Sequence, residues 1–165
     1  IKKNLRIITL LNMRRLQMNL FPNLFQMKKK KKKLNLILKQ KYFNAIMCGQ
    51  KVQEFREVKP TTIKKLLKLD DEGYEILDEH GNSQPIEYDA IRFFVGYNKD
   101  RDSALVEVKS AYCEIFVDDK DEPIEFEVLN EQTGKVEYWV AQQVVYNLGK
   151  ILEADIKSET KKRRV

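Results

Sequence analysis

The stretch GQKVQEFR, residues 49–56, marks the point at which one pattern of side chains gives way to another. Before it, KQKYFNAIMC carries apolar residues at helical spacing, and Gly49 stands where a glycine commonly follows the last turn of a helix. After it, residues 51–58 show the alternation that is typical of a strand. The sequence therefore predicts a helix, a terminating glycine and a strand that carries several charged side chains.

The charged residues of this strand allow two interpretations. Glu54 and Arg56 are two positions apart and should share one face of the strand, while Lys51 begins it. They could form an ion pair on the wall of a sheet. They could also bind a charged ligand, because arginine offers a planar fork of donors, lysine offers a point charge, and glutamate can orient either one.

The rest of the chain predicts an α+β fold. A second short helix should follow Pro60, with Ile63, Leu66 and Leu67 facing inward. Beyond Asp70 the apolar period is mostly two, as in strands. We expect two short helices near the front and about six strands after them, in a sheet curled into a β-barrel. The predicted strands and hairpins cover 34–39, 51–58, 74–88 with a turn near Gly81, 88–97, 104–117, 124–140 and 144–153.

Charge divides the chain into three segments. Residues 1–53 contain fourteen Lys or Arg and no Asp or Glu, whereas the remaining residues carry a net charge of −8. We interpret residues 1–33 as a basic leader, either disordered or an extension upstream of a start at Met27, with a targeting segment or surface helix as the alternative. Residues 34–155 form one domain and 156–165 a charged tail. The apolar run of the leader is too short to span a membrane.

Several classes of chemistry find no support in the sequence. The single histidine, His80, lies at a predicted hairpin tip, which argues against a catalytic triad and against a histidine-ligated zinc. Cys48 and Cys113 have no metal-ligand spacing and suit two reduced thiols in a cytoplasmic protein. Dinucleotide and P-loop motifs are absent. We therefore expect no metal and no cofactor, and the sequence leaves open whether the protein is an enzyme.

The stretch YFNAIMCGQKVQEFREVKP, residues 42–60, resembles the signature of the ASCH domain family. The run G-x-K-x-x-E-x-R of that family is matched by Gly49, Lys51, Glu54 and Arg56, and the similarity continues through YDAIRFFVGYNKD, ALVEVK and NLGKIL, covering about residues 34–155. The resemblance implies a PUA-like β-barrel whose cleft is lined by the motif. It also implies a role in binding RNA or nucleotides.

One branch of the family is an amidohydrolase that acts on an acetylated cytidine. Its lysine falls on Lys51, but its nucleophilic threonine falls on Glu54, and a carboxylate does not replace a hydroxyl nucleophile in that mechanism. The alternative function is therefore a different small hydrolase acting on a modified nucleoside or on RNA. Lys51 would then act as base or electrostatic stabiliser and Glu54 as acid/base.

The leading hypothesis is binding of single-stranded RNA or a nucleotide. Lys51 and Arg56 would contact a phosphate or a base edge, and Glu54 would position Arg56 or accept a hydrogen bond from a base. No membrane association is expected, and the sequence identifies no protein partner. A third hypothesis, protein interaction, has only the acidic loop 118–127 in its favour.

Additional ligand contacts are predicted outside the motif. Tyr42 and Tyr97 are candidate stacking partners for bases, with ordinary packing as the alternative, which we favour for Phe93, Phe94 and Trp139. Lys99 and Arg101 lie in the loop 96–102. That loop either borders the cleft or is a solvated turn.

Overall fold

The computed structural model describes residues 30–157 and confirms the α+β class. Predictions that fall on residues 1–29 and 158–165, including the start at Met27 and most of the charged tail, lie outside the described residues. No helix within 30–157 combines the length and the apolar composition needed to cross a membrane. The elements are β1 Lys33–Leu38, α1 Gln40–Met47, β2 Gln53–Glu57, α2 Ile63–Leu66, β3 Ala90–Val95, β4 Ser103–Ile115, β5 Glu125–Asn130, β6 Lys135–Val140 and β7 Gln142–Asp155.

Five of the strands form one sheet, in the order β1-β3-β4-β7-β2, and β5 and β6 form a separate hairpin. Strand β1 runs parallel to β3, and the other pairs are antiparallel. In the described residues the hydrogen-bonded ladder is not closed into a barrel, because β1 and β2 are its two edges. The edges nevertheless meet through one side chain, since Arg56 Nη2 on β2 donates to the Ile37 carbonyl oxygen on β1 at 3.2 Å.

The two longest strands, β4 and β7, pair with three shifts in register. Such bulges bend a strand and increase its twist. One apolar core lies against this bent sheet. Its most deeply buried members come from β1, α1, α2, β3, β4 and β7 and include Leu34, Leu36, Phe43, Leu66, Ile91, Phe93, Val106, Val144 and Tyr146.

The front of the domain follows the predicted pattern closely. Strand β1 buries every second residue, and Phe43 and Ile46 form the buried face of α1. Gly49 follows the helix with φ +77°, a conformation that favours glycine, which confirms its predicted role as the terminating residue. Strand β2 begins at Gln53, two residues after the start of the strand predicted over 51–58.

The second helix is shorter than predicted. It spans only Ile63–Leu66, because Leu67 has an extended backbone and forms an isolated bridge with Pro85. The inward positions are nevertheless correct, since Ile63, Leu66 and Leu67 are all buried. A long-range bridge has therefore ended a helix that the local pattern would have continued.

The hairpin predicted over 74–88 is wrong as a pair of strands. Only isolated bridges form there, including Leu77 with Ser83. The carboxylate of Asp78 accepts hydrogen bonds from the backbone N–H groups of His80 and Asn82, each at 2.9 Å. Such side-chain contacts give the backbone an alternative to a ladder. The turn near Gly81 is confirmed, and His80 is a turn residue with an exposed side chain.

Candidate functional site

Strand β2 has two charged residues, Glu54 and Arg56, on its inner face, whereas Phe55 and Glu57 are exposed. Glu54 is only 4% exposed, whereas Phe55 is 44% exposed and Val52 is 61% exposed. The cause is the register with β7, which places Glu54 opposite Tyr146 and Arg56 opposite Val144. Because directly opposed residues of antiparallel strands share a face, both charged side chains lie on the side of the buried tyrosine and valine.

Lys51, Glu54 and Arg56 form a three-residue ion-pair cluster. One carboxylate oxygen of Glu54 lies 2.8 Å from Arg56 Nη2, and the other lies 3.1 Å from Lys51 Nζ. Lys51 Nζ also donates to the Gln53 carbonyl oxygen at 2.5 Å and stands over the Phe55 ring, 5.2 Å from its centroid. The ion-pair interpretation of the sequence is therefore realised, and Glu54 does orient Arg56. The role of these three residues in ligand binding stays a prediction.

Two polar atoms in this part of the interior have no hydrogen-bond partner among the described residues. They are Arg56 Nε and the hydroxyl of Tyr146, and both are inaccessible to solvent. Burial raises the pKa of the Tyr146 hydroxyl well above its ordinary value, and the nearby charge of Arg56 opposes that rise. Buried polar atoms are almost always partnered in folded proteins, so two orphans beside one ion-pair cluster require an explanation.

The other predicted contact residues lie apart from the cluster. Tyr42 is half exposed on α1 beneath Lys41, whose Nζ lies 4.7 Å from the ring centroid. Tyr97, 85% exposed, and Lys99 line a shallow cavity of about 350 Å³ together with Arg101. No hydrogen bond, ion pair or ring contact within residues 30–157 joins Tyr42, Tyr97 or Lys99 to the cluster.

The loop 96–102 and the cluster nevertheless flank the same end of β1. The backbone N–H of Gly96 donates to the Leu38 carbonyl oxygen at 3.3 Å, one residue beyond the carbonyl that accepts from Arg56. Arg101 is held within the loop, because it stacks over Phe94 at 4.1 Å and donates to the Gly96 carbonyl oxygen at 2.9 Å. The exposed side chains of this loop are Tyr97, Asn98, Lys99 and Asp100.

Two features of the interior were not found from the sequence. Tyr146 was assigned to a strand without a functional role, because its position opposite Glu54 depends on pairing between segments some ninety residues apart. Cys113 is half-buried, and burial raises its pKa to about 12, helped by the carboxylates of Glu75 and Asp78. A thiol held protonated in this way is a poor nucleophile.

Within residues 30–157, no three side chains of the His, Cys, Asp and Glu types are grouped as a metal site would require. Comparison of the chain with protein-family models, with curated proteins and with solved structures finds no match. The similarity to ASCH domains therefore rests on the sequence motifs quoted above.

Proposed function

We propose that this chain is an ASCH-like domain that binds single-stranded RNA or a nucleotide through Lys51, Glu54 and Arg56. The observation that carries the proposal is the inward-facing ion-pair cluster with unpartnered polar atoms of Arg56 and Tyr146 beside it. The sequence motif G-x-K-x-x-E-x-R contributes the expectation of an ASCH-like domain.

Stability alone is a weak explanation for the cluster. Removing a carboxylate and its partners from water costs free energy that the ion pairs only partly offset, and apolar side chains of similar size often serve as well. Here the same strand exposes Phe55, which could have packed inward in place of Glu54. A charged inner face beside an exposed apolar one is the kind of local inconsistency that proteins retain at functional sites.

The chemistry of the cluster suits an oxygen-rich ligand. Lys51 and the exposed part of the Arg56 guanidinium can donate to a phosphate oxygen or a base carbonyl. Arg56 Nε–H and the Tyr146 hydroxyl are closed to solvent, so the proposal requires the inner face of β2 to open before a ligand can accept from them. Glu54 and the Ile37 carbonyl already fix the Arg56 guanidinium, so less side-chain entropy is lost when a ligand binds.

Single-stranded RNA fits this chemistry because its bases are accessible at their edges and faces. Tyr97 could stack on a base beyond the cluster, and Lys99 could neutralise the next phosphate, since their loop lies at the same end of β1. The proposal therefore assigns the specific contact to the cluster and a less specific one to the loop.

We also propose that the fold is the PUA-like barrel that the ASCH resemblance implies. Support comes from the Arg56 side chain, which spans from edge strand β2 to edge strand β1. A sheet whose two edges lie within reach of one side chain is strongly curved. The cluster would then lie at the seam between the edges.

The test is fluorescence anisotropy of a labelled single-stranded RNA. The lysines 28–33 would bind RNA by themselves with a steep dependence on salt, so wild type is compared with a variant in which all six are glutamine. Within that variant we compare Tyr146→Phe and Arg56→Ala at about 50 and about 200 mM salt. Each substitution should weaken binding by about 1–3 kcal/mol.

Tyr112→Phe is the matched control, because Tyr112 lies on β4 with an exposed side chain and its hydroxyl should not contact a ligand at the cluster. Equal affinities for all variants would contradict the proposal. Electrophoresis of the recovered RNA separates binding from the alternative function. Intact RNA supports a binding domain, whereas shortened RNA would favour the hydrolase.

A further inference from the structure

A second cavity, of about 740 Å³, lies between the segment 72–77 and the hairpin β5–β6. Its walls carry aromatic and acidic side chains, and no Lys, Arg or His from residues 30–157 is among the residues that line it. Residues of the ion-pair cluster do not contribute to it. The side chains that matter for its chemistry are Tyr74, Tyr138, Trp139, Glu72, Glu75 and Glu137.

The hairpin supplies one wall because its two faces differ. Glu137 and Trp139 lie on the half-buried face of β6, where Trp139 also meets Phe126 in a tilted ring pair with centroids 6.4 Å apart. Tyr138 also lines the cavity, but its side chain points to the exposed side of the hairpin, where its hydroxyl donates to Glu127 at 3.3 Å. Tyr74, 65% exposed, forms the rim on the facing segment. The cavity is therefore lined by the exposed Tyr74 on the segment 72–77 and by the half-buried Trp139 on the hairpin.

The carboxylates of the cavity are held by neutral donors. Glu75 accepts from Gln142 Nε2 at 3.0 and 3.1 Å and from the Ser83 hydroxyl. Glu137 accepts from Asn130 Nδ2 at 2.7 Å and from Trp139 Nε1 at 3.4 Å. Amide, hydroxyl and indole donors orient these groups and bring no positive charge to them.

The buried carboxylate of Glu54, by contrast, is paired with Lys51 and Arg56. Within residues 30–157, no lysine, arginine or histidine forms an ion pair with Glu72, Glu75 or Glu137. Three carboxylates thus face an aromatic cavity without a cation from the described part of the chain.

We propose that this cavity binds a lysine side chain of a basic peptide. Aromatic ring faces attract an ammonium group, and the carboxylates add direct charge complementarity. The volume lies within the range typical of ligand sites and exceeds the need of one ammonium group, which leaves room for the aliphatic stem and adjoining backbone. Two exposed side chains of the lining, Tyr74 and Leu77, would contact that peptide backbone.

This site is chemically opposite to the cluster on β2. Its negative charge repels phosphate, so RNA does not compete for it, and a peptide bound there does not need the proposed nucleic-acid function. The two sites would allow one domain to engage a basic protein and a nucleic acid together. Either proposal can fail without the other.

The test uses Trp139, the only tryptophan in the chain, as a built-in reporter. The full chain is titrated with a hexalysine peptide while the intrinsic fluorescence is recorded, and hexaglutamate and spermidine are titrated in parallel. Hexalysine should give a saturable change in emission and hexaglutamate none. Spermidine should bind more weakly than the peptide, because it lacks a backbone to contact the rim.

The variant Glu72→Gln should weaken hexalysine binding by about two- to fivefold, as expected for loss of one solvated charge contact. Glu72 is exposed and makes none of the internal contacts that hold the cavity walls, so the fold should be retained. Asp119→Asn is the control, because Asp119 is an exposed carboxylate outside the cavity.

Three results would overturn the proposal. The first is the absence of a saturable change with hexalysine. The second is equal weakening by Glu72→Gln and Asp119→Asn, which would mean that the peptide responds only to the overall negative charge. The third is equal affinity for spermidine, which would assign the cavity to a small polyamine rather than to a peptide.

Discussion

The two edge strands of the five-stranded sheet, β1 and β2, follow the same alternation with opposite chemistry. Strand β1 buries Leu34, Leu36 and Leu38 and exposes the residues between them. Strand β2 buries Glu54 and exposes Phe55. Both are short, both lie at an edge, and a single side chain joins them. The pattern of burial alone therefore does not separate them, but the identity of the buried residue does.

The difference separates two uses of a strand. Burying a leucine side chain stabilises the fold by roughly 1.5–3 kcal/mol, so β1 is accounted for by packing. Burying Glu54 is favourable only while Lys51 and Arg56 compensate its charge, and those partners are 22% and 28% exposed. Solvent reduces the strength of such pairs. Strand β2 thus retains a costly arrangement that packing does not explain.

The largest effect is expected from breaking β1. Leu36→Ala should lower the free energy of unfolding by about 2–5 kcal/mol, because it leaves a cavity in a well-packed core. Urea denaturation measures this, with Asn35→Ala, an exposed neighbour, as the control. RNA affinity of the folded variant should be unchanged. A selective loss of affinity in Leu36→Ala would mean that β1 also belongs to the binding site.

A smaller loss of stability is expected from breaking β2. Glu54→Gln keeps the size of the side chain but leaves Lys51 and Arg56 without their shared carboxylate. The free energy of unfolding should fall by about 1–3 kcal/mol, less than for a fully buried pair because both cations reach solvent. Affinity for single-stranded RNA should fall as well, since Arg56 loses its orientation.

Phe55→Thr is the matched control for Glu54→Gln, because it changes the adjacent residue on the opposite, exposed face and keeps good strand propensity. Its effect on unfolding should stay below about 1 kcal/mol, because it removes only the exposed contact between Lys51 Nζ and the Phe55 ring. If Phe55→Thr destabilises the protein more than Glu54→Gln does, then Phe55 packs against another part of the protein, and the outer face of β2 is not the exposed face.

Local sequence was sufficient to predict the elements at the front of the domain. Strand β1, helix α1 and the glycine between α1 and β2 were predicted because each depends on residues within one or two turns of the chain. The Glu54–Arg56 contact was one of two alternatives for the same reason, since residues two apart share a face of a strand. The spacing of these residues could not distinguish an ion pair on the wall of the sheet from a binding site for a charged ligand.

What could not be predicted depends on distant pairing or on side chains that replace a ladder. Tyr146 reaches the cluster only through the β2–β7 register. The prediction of a hairpin over 74–88 was wrong because the Asp78 carboxylate accepts the hydrogen bonds of two backbone N–H groups in the turn. The acidic cavity was missed because its walls come from two segments that are far apart in the chain.

The smallest effect at neutral pH, and the sharpest test of the inverted face, is expected from Tyr146→Phe. The substitution removes a buried hydroxyl that has no hydrogen-bond partner within residues 30–157, so the free energy of unfolding at pH 7 should stay level or rise by up to about 1 kcal/mol. A clear loss of stability would mean that the hydroxyl already has a partner in the free protein, and its availability to a ligand would be refuted.

The pH dependence of stability tests the burial of the Tyr146 hydroxyl independently. Burial raises the pKa of Tyr146, so the folded protein keeps the proton at pH values where an unfolded tyrosine has lost it. Tyr146 therefore makes its full contribution to the free energy of unfolding below the pKa of an unfolded tyrosine, near 10. Stability falls as the pH rises from there toward the pKa of Tyr146 in the folded protein. Denaturation between about pH 9 and 11 should show a shallower decline in Tyr146→Phe than in wild type.

Cys113 contributes in the same direction, because its folded pKa is about 12. The loss of stability that Cys113 causes should begin at a lower pH, near the ordinary thiol pKa of about 8.5. Cys113→Ala should therefore flatten the earlier part of the curve and Tyr146→Phe the later part. If Tyr146→Phe leaves the alkaline limb unchanged, the hydroxyl is open to solvent, and the inner face of β2 is wetter than its burial indicates.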